Sequence, residues 1–299
     1  MFLGVDIGGT KTALCLGTQD GAVLEKIRFE TTTCKETIKN IIEAGKKLTA
    51  GKQIKAVGIS CGSPQDSKKG IIQAPPNLPD WVDVPIVKLM EDAFGVPAFL
   101  ANDANACALA EWKFGAGKGT ENMIFLTFGT GMGAGLILNG KLYAGTCGMA
   151  GEVGHMRLSP EGPEGYGKAG SFEGFCSGGG IVRLGQLMGY SYPTTKDICN
   201  AAKSGDENAQ KIIAESATRL GQGLSILIDL FNPQKIVIGS IFTRAEALFR
   251  PKMEETLQKE CLNYNLQVCS IVPAALGEAI GDIAAISVGV IGWEESQHV

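Results

Sequence analysis

Two stretches of the chain share one hydrophobic pattern. Residues 2–26 (FLGVDIGGTKTALCLGTQDGAVLEK) and 123–145 (MIFLTFGTGMGAGLILNGKLYAG) each read as an apolar run, a Gly/Thr turn, a second apolar run, a tight turn and a third run. The tight turns, Asp20-Gly21 and Asn139-Gly140, are hairpin signals, because both central positions of such turns favour φ > 0. Each stretch therefore predicts three strands, and an echo about 120 residues apart predicts two related domains.

Between the echoes the pattern predicts a helix over 37–49, a strand over 55–60, a Pro-rich loop, a helix over 86–94, a strand over 97–102 and a helix over 104–112. Further on it predicts a helix over 208–231, a strand over 235–239, a helix over 244–260 and a closing helix from about residue 277. Strands alternating with helices predict an α/β fold. At 299 residues the chain has room for two domains of about 150 residues each. The Gly-rich segment 114–120 (FGAGKGT) is the expected break between them.

Composition narrows the function classes. Apolar residues make up 44% and charged residues 19%, enough for a sizeable core and against wholesale disorder. The net charge of −4 carries none of the basic footprint of a nucleic-acid binder. Phosphate binding stays open, because Gly-rich turns and helix N-termini bind it through backbone N–H groups. The nine cysteines form no CxxC pair and several lie in apolar runs, which predicts reduced thiols in a cytoplasmic protein. A strand-like run follows Met1 almost at once, so no signal peptide is expected. The longest apolar stretch, near the C-terminus, is interrupted by Glu278 and Asp282, so no membrane span is expected.

Several motifs could carry chemistry. In Asp6-Ile7-Gly8-Gly9-Thr10-Lys11 an Asp at a strand end, two glycines and a hydroxyl can hold a hydrated metal ion while backbone N–H groups meet phosphate; a plain hairpin with a capping Asp reads equally well. In Thr127-Phe128-Gly129-Thr130-Gly131-Met132-Gly133-Ala134-Gly135, the residues Gly129, Gly131 and Ala134 fit a dinucleotide fingerprint, with Glu152 about 20 residues on. That fingerprint must open a helix, whereas GLILNGKLY alternates and turns like a hairpin, so a strand–turn–strand phosphate loop fits better. Gly117-Lys118-Gly119-Thr120 lacks the first glycine of a P-loop and reads as a flexible connection.

Asn102-Asp103 follows the strand PAFL directly, and strand C-termini in α/β sheets point into ligand crevices. A carboxylate there can accept the proton of an attacking hydroxyl; the alternative is a cap for the helix over 104–112. Glu152 and His155 stand three apart, with Glu173 a candidate third partner, and the other histidine, His298, lies in the tail.

Taken together these residues resemble the ROK family (repressors, open reading frames and sugar kinases) of the actin-like ATPase superfamily. The match includes DIGGTK at 6–11, CGSP at 61–64, APPNLPDW at 74–81, NDANA at 102–106, TFGTGMGAG at 127–135, AGEVGHM at 150–156 and FNPQKIVIG at 231–239. The resemblance implies two actin-like (ribonuclease H-like) domains: a small one over 1–117 completed by a C-terminal helix over about 283–299, and a large one over 118–282, with an active-site cleft between them. It implies ATP phosphates at Gly8, Gly9, Thr10, Lys11, Thr130, Gly131 and Gly133, Gly239 near the adenosine, and Mg²⁺ placed by Asp6 through water. It implies a sugar bound by Asn77, Asn102, Asp103, Glu152, His155 and Glu173, with Asp103 as the catalytic base, and a homodimer.

Two departures stand out. Many members of the family carry three cysteines that bind zinc with the His of the GH pair; at those positions this chain has Glu164, Tyr166 and Ser171. Three oxygen-bearing side chains do not make a structural zinc site, so no zinc is expected and packing is expected to hold loop 157–172. Gly239-Ser240-Ile241 stands where the family has a run of glycines, and a side chain there is expected to crowd or reshape the nucleotide pocket. No helix pair precedes the first strand, so a repressor is not expected; a non-catalytic sugar sensor is disfavoured by the presence of Asp6, the Gly loops and Asp103. The expected activity is ATP-dependent phosphorylation of a glucose-type hexose, with N-acetylmannosamine, N-acetylglucosamine, fructose, allose and β-glucosides as alternatives.

Overall fold

The computed structural model describes residues 1–297. The first echo forms an antiparallel meander, β1 (Phe2–Ile7), β2 (Lys11–Gly17) and β3 (Val23–Glu30). Helix α1 (Cys34–Thr49) starts three residues before the expected position because Thr33 caps it, its hydroxyl accepting from Glu36 N. Next come β4 (Ala56–Cys61), the two-residue strands β5 (Gln65–Asp66) and β6 (Ile71–Ile72), α2 (Ile86–Phe94), β7 (Ala98–Asn102) and α3 (Asp103–Phe114). β4 runs parallel to β1 and β7 parallel to β4, giving the sheet order β3-β2-β1-β4-β7.

The second echo supplies β8 (Met123–Leu126), β9 (Ala134–Leu138) and β10 (Lys141–Leu142). After it follow a small hairpin, β11 (Glu164–Gly165) and β12 (Lys168–Ala169), and the helices α4 (Phe172–Cys176), α5 (Gly178–Leu187), α6 (Thr195–Lys203) and α7 (Glu207–Phe231). Then come β13 (Lys235–Ile238), α8 (Ile241–Glu260), α9 (Asn263–Val268) and β14 (Ser270–Pro273). The sheet order β10-β9-β8-β13-β14 repeats the first sheet: meander on one side, two parallel strands on the other.

A short 3-10 turn, Gly277–Ala279, leads into the closing helix α10 (Ile280–Ser296). The last two residues of the helix expected over about 283–299, with His298, lie outside the described residues. The chain divides into two compact units. The first holds Met1–Gly119, Leu142–Ala150 and the described residues from Glu278 onward; the second holds Thr120–Lys141 and Gly151–Gly277. Among the described residues no helix is long and apolar enough to cross a membrane.

The period of two along β1 divides the core of the first unit. Leu3, Val5 and Ile7 point to one face and pack with Ile41 and Leu48 of α1 and Ile86 and Met90 of α2. Phe2 points to the other face and packs with Ile286 and Val290 of α10. Gly4 also faces α10, and a Cβ on it would meet Ile286 N at 2.9 Å. On β4 a Cβ at Gly58 would meet Ala285 O at 2.0 Å and Gly289 N at 2.3 Å. Helix and sheet therefore touch backbone to backbone, an approach that only glycine permits. Gly58→Ala is expected to cost about 1–3 kcal/mol by overpacking, read as a lower urea midpoint. An unchanged midpoint would show that α10 can retreat at no cost.

Candidate active site

Parallel pairing sets the site of the first unit. The register matches Ile7 with Cys61 and Cys61 with Asn102, so the C-terminal ends of β1, β4 and β7 lie along one sheet edge. A recess of about 150 Å³ opens there, lined by Asp6, Gly8, Gly9, Cys61, Asn77 and Asp103. Gly9 is glycine for a visible reason: a Cβ there would meet Asn77 Cβ at 2.5 Å and its carbonyl oxygen at 2.8 Å. The turn itself is tied by Gly8 N donating to Lys11 O at 3.1 Å and by the Thr31 hydroxyl donating to Gly8 O at 2.7 Å. Thr10 and Lys11 are exposed at the turn and outside the recess lining.

The same period of two that turns Gly4 toward α10 turns Asp6 the same way. Gly281 lies beside it, where a Cβ would stand 3.3 Å from Asp6 Oδ2. Burial, then repulsion from Asp282 and Asp103, pushes the Asp6 pKa up to about 6, with Lys26 and Arg28 opposing. Asp282 is itself held by Lys26, at 2.6 Å. Asp6 as a single carboxylate fits hydrated Mg²⁺, which keeps several waters and takes one or two carboxylates plus phosphate oxygens.

Asn102, not Asp103, caps α3: its Oδ1 accepts from Asn105 N at 2.7 Å. Asp103 therefore opens the helix with its carboxylate left over for other work, Oδ1 accepting from Ala104 N at 2.8 Å. Water reaches Asp103 at the recess, yet the surrounding protein removes enough hydration to raise its pKa, against the pull of backbone N–H groups. Three thiols flank these carboxylates: Cys15 and Cys61, each pushed up to about 12 chiefly by burial, and Cys107, raised for the same reason.

In the second unit the loop after β8 is knitted internally. Thr127 N donates to Gly133 O, Gly133 N to Thr127 Oγ1 at 2.8 Å, and Gly129 N to Gly131 O at 3.1 Å. Thr130 is exposed at its tip. The N-terminus of α5 meets the loop through Gly178 N donating to Gly129 O at 2.7 Å, so backbone donors and the positive end of a helix converge on one place. The loop borders a cavity of about 590 Å³, lined among others by Gly129, Thr130, Gly178, Lys196, Ser240 and Arg244. An adjoining cavity of about 500 Å³ shares Lys196 and Arg244 and adds Lys203. Gly239 sits at the end of β13, its N–H donating to Leu126 O. Ser240 follows at φ 55°, and its hydroxyl would stand 3.3 Å from a Cβ on Gly129.

Glu173, in the first turn of α4, accepts from Met132 N at 3.0 Å, which ties it to the glycine loop. A Cβ at Gly131 would meet the same carboxylate oxygen at 2.9 Å. Glu152 precedes a 3-10 turn, Val153–His155, that ends on His155. Loop 157–172, expected to rest on packing, is held by hydrogen bonds as well. Ser171 Oγ donates to Gly165 O at 3.1 Å and accepts from Gly174 N at 3.0 Å. Arg157 Nη1 donates to Ala169 O, and Phe172 N to Met156 O.

Each unit thus gathers its share of the expected residues: Asp6, Gly8, Gly9, Asn77, Asn102 and Asp103 in the first; Thr130, Gly131, Gly133, Gly239, Glu152, His155 and Glu173 in the second. Sequence reasoning missed Asp282, Lys196 and Arg244, and took Cys61 only as part of the CGSP motif. Asp282 reads locally as a helix-start acid, and Lys196 and Arg244 as ordinary helix-surface charges; no local signal singles them out.

A glucokinase from Streptomyces coelicolor is 32% identical over 305 residues, covering 95% of this chain and 96% of that one. An N-acetylmannosamine kinase from Escherichia coli is 34% identical over 249 residues, covering 82% and 84%. The structure of a ROK family glucokinase from Streptomyces griseus in complex with glucose and AMPPNP superposes with a TM-score of 0.75 at 30% identity, covering 96% and 98%. The ROK family model matches residues 2–288, and the chain, with its two actin-like α/β units, belongs to the ROK family.

Proposed function

We propose that this ROK protein is an ATP-dependent sugar kinase that phosphorylates a hydroxyl of a glucose-type hexose, with Asp103 as general base. The observation that carries the reading is Asp103 itself: a water-accessible carboxylate at a parallel strand end, relieved of capping by Asn102, in a recess shared with Asp6 and Asn77. The glucokinase relatives support glucose, and the N-acetylmannosamine kinase keeps that sugar as the alternative.

In this reading the hydroxyl oxygen attacks the γ-phosphorus, its proton passes to Asp103, the bond to the β-phosphate oxygen breaks and ADP leaves. Asn77, Asn102, Glu152, His155 and Glu173 orient the sugar with Asp103. The backbone N–H groups of Gly9, Thr10, Lys11, Thr130 and Gly131 meet the phosphates, Gly8 and Gly133 shape the two turns with their own N–H bonds, and Gly239 borders the adenosine. Asp6 would hold Mg²⁺ through water, and that ion would supply charge neutralisation at the phosphate oxygens. The protein works in the cytoplasm with its nine cysteines unpaired, as a homodimer, an oligomeric state that rests on the family resemblance alone.

An ADP-release assay with Mg-ATP against hexoses, N-acetylhexosamines and β-glucosides tests the activity and names the sugar; no turnover with bound sugar would indicate a sensor. Asp103→Asn is expected to lower kcat by roughly 10²–10⁴-fold with the sugar KM little changed, and near-normal turnover would remove Asp103 from the mechanism.

Both recess carboxylates hold protons to higher pH than usual, so activity requiring their ionised forms is lost as pH falls through the raised values. The acid limb of kcat/KM is expected near the Asp6 value of about 6, and to move to lower pH as Mg²⁺ rises, because the cation favours ionised Asp6. A limb at the ordinary carboxylate value of about 4, insensitive to Mg²⁺, would contradict this.

Ser240 strains the backbone at positive φ and stands against Gly129. Ser240→Gly is expected to lower the KM for ATP and leave that for sugar unchanged. A rise in the ATP KM would show the hydroxyl to be a ligand rather than an obstruction.

A further inference from the structure

The hairpin β11–β12 turns through Tyr166-Gly167, with φ of 50° and 72°. Two consecutive positive φ values call for Asn-Gly or Gly-Gly, and a bulky aromatic residue in the first place is disfavoured. Burial does not explain the tyrosine, because Tyr166 is 72% exposed. Its ring stands edge-on to the His155 imidazole, centroids 6.0 Å apart at 87°, a favourable T-shaped geometry.

The rest of the hairpin is fastened to the same histidine segment. Lys168 Nζ donates to His155 O at 2.8 Å, and Arg157, two residues beyond, donates to Ala169 O at 2.9 Å. Ser171 closes the base of the hairpin through Gly165 O. The backbone of His155 is fixed by its N–H donating to Glu152 O. The ring contact of its imidazole is with Tyr166. A disfavoured conformation kept on an exposed turn, with one side-chain neighbour of chemical interest, belongs to function rather than to stability.

We propose that Tyr166 is a positioning residue of the sugar site, its ring edge holding the His155 imidazole in the orientation that meets the sugar's hydroxyls. This rests on the reading of His155 as a sugar ligand. It assigns loop 157–172 a role in substrate affinity that requires no bound metal.

Glycine and asparagine are better suited than tyrosine to φ near 50°, so Tyr166→Gly and Tyr166→Asn separate the two explanations. If Tyr166 only shaped the turn, either variant would melt no lower and would keep the sugar KM. A positioning role predicts that both raise the sugar KM about three- to tenfold, with kcat, the ATP KM and the melting temperature little changed. Tyr166→Phe retains the ring and is expected to keep the parental KM. In a His155→Ala background the effect of Tyr166→Gly should vanish, because the residue it acts through is gone. An unchanged sugar KM in Tyr166→Gly, or an undiminished effect in His155→Ala, overturns the proposal while leaving the kinase reading intact. Absence of both sugar turnover and sugar binding in the parent protein overturns both.

Discussion

The first unit depends on the approach of α10 to the sheet through Gly4, Gly58 and Gly289. Side chains on both partners would hold them at the usual helix–sheet spacing; their absence lets the helix backbone rest on the strands. Several features follow from that distance. Ile286 and Val290 reach Phe2, Cys15 and Ala56 and seal one face of the sheet. The helix N-terminus brings Gly281 beside Asp6, and Asp282 near enough to raise its pKa. The last helix of the chain therefore belongs electrostatically to a motif at its very beginning.

The second constraint is strand polarity. Parallel pairing of β1, β4 and β7 places three strand ends on one edge, and each releases a segment that lines the recess there: the Gly8-Gly9 turn, Cys61 with its following loop, and Asp103. In the second unit β8 and β13 repeat the arrangement and release the 129–133 loop and Gly239-Ser240. One topology used twice presents two different sets of groups. The first copy gathers carboxylates, while the second gathers backbone donors and, in its cavities, Lys196, Lys203 and Arg244.

What could be read in the sequence was what is local. Both strand–turn–strand echoes, the helix at Ile86–Phe94 and the placement of Asp103 at a strand end depend on residues within a few positions of one another. The echoes differ in their third strands: β3 runs for eight residues, but β10 has only Lys141–Leu142 before the chain turns to the segment Leu142–Ala150 of the first unit. Period-two patterning cannot foresee that departure. Nor does anything local show that Asn102 would take the cap and release Asp103, since both residue types cap helices well. The hydrogen bond from Met132 N to Glu173 and the crowding of Asp6 by Asp282 join segments distant in the chain. Tyr166-Gly167 is hidden for a different reason, because tyrosine is the wrong residue for the turn it makes.

The thiols have a practical consequence. Burial pushes up the pKa values of eight of the nine: Cys15, Cys34, Cys61, Cys107, Cys176, Cys199, Cys261 and Cys269. The reactive thiolate is therefore scarce at those positions near neutral pH. The ninth, Cys147, is exposed in the segment Leu142–Ala150. A chain crowded with cysteine thus offers one address to a maleimide dye, and a fluorophore there would report on the folded protein without any cysteine being removed first.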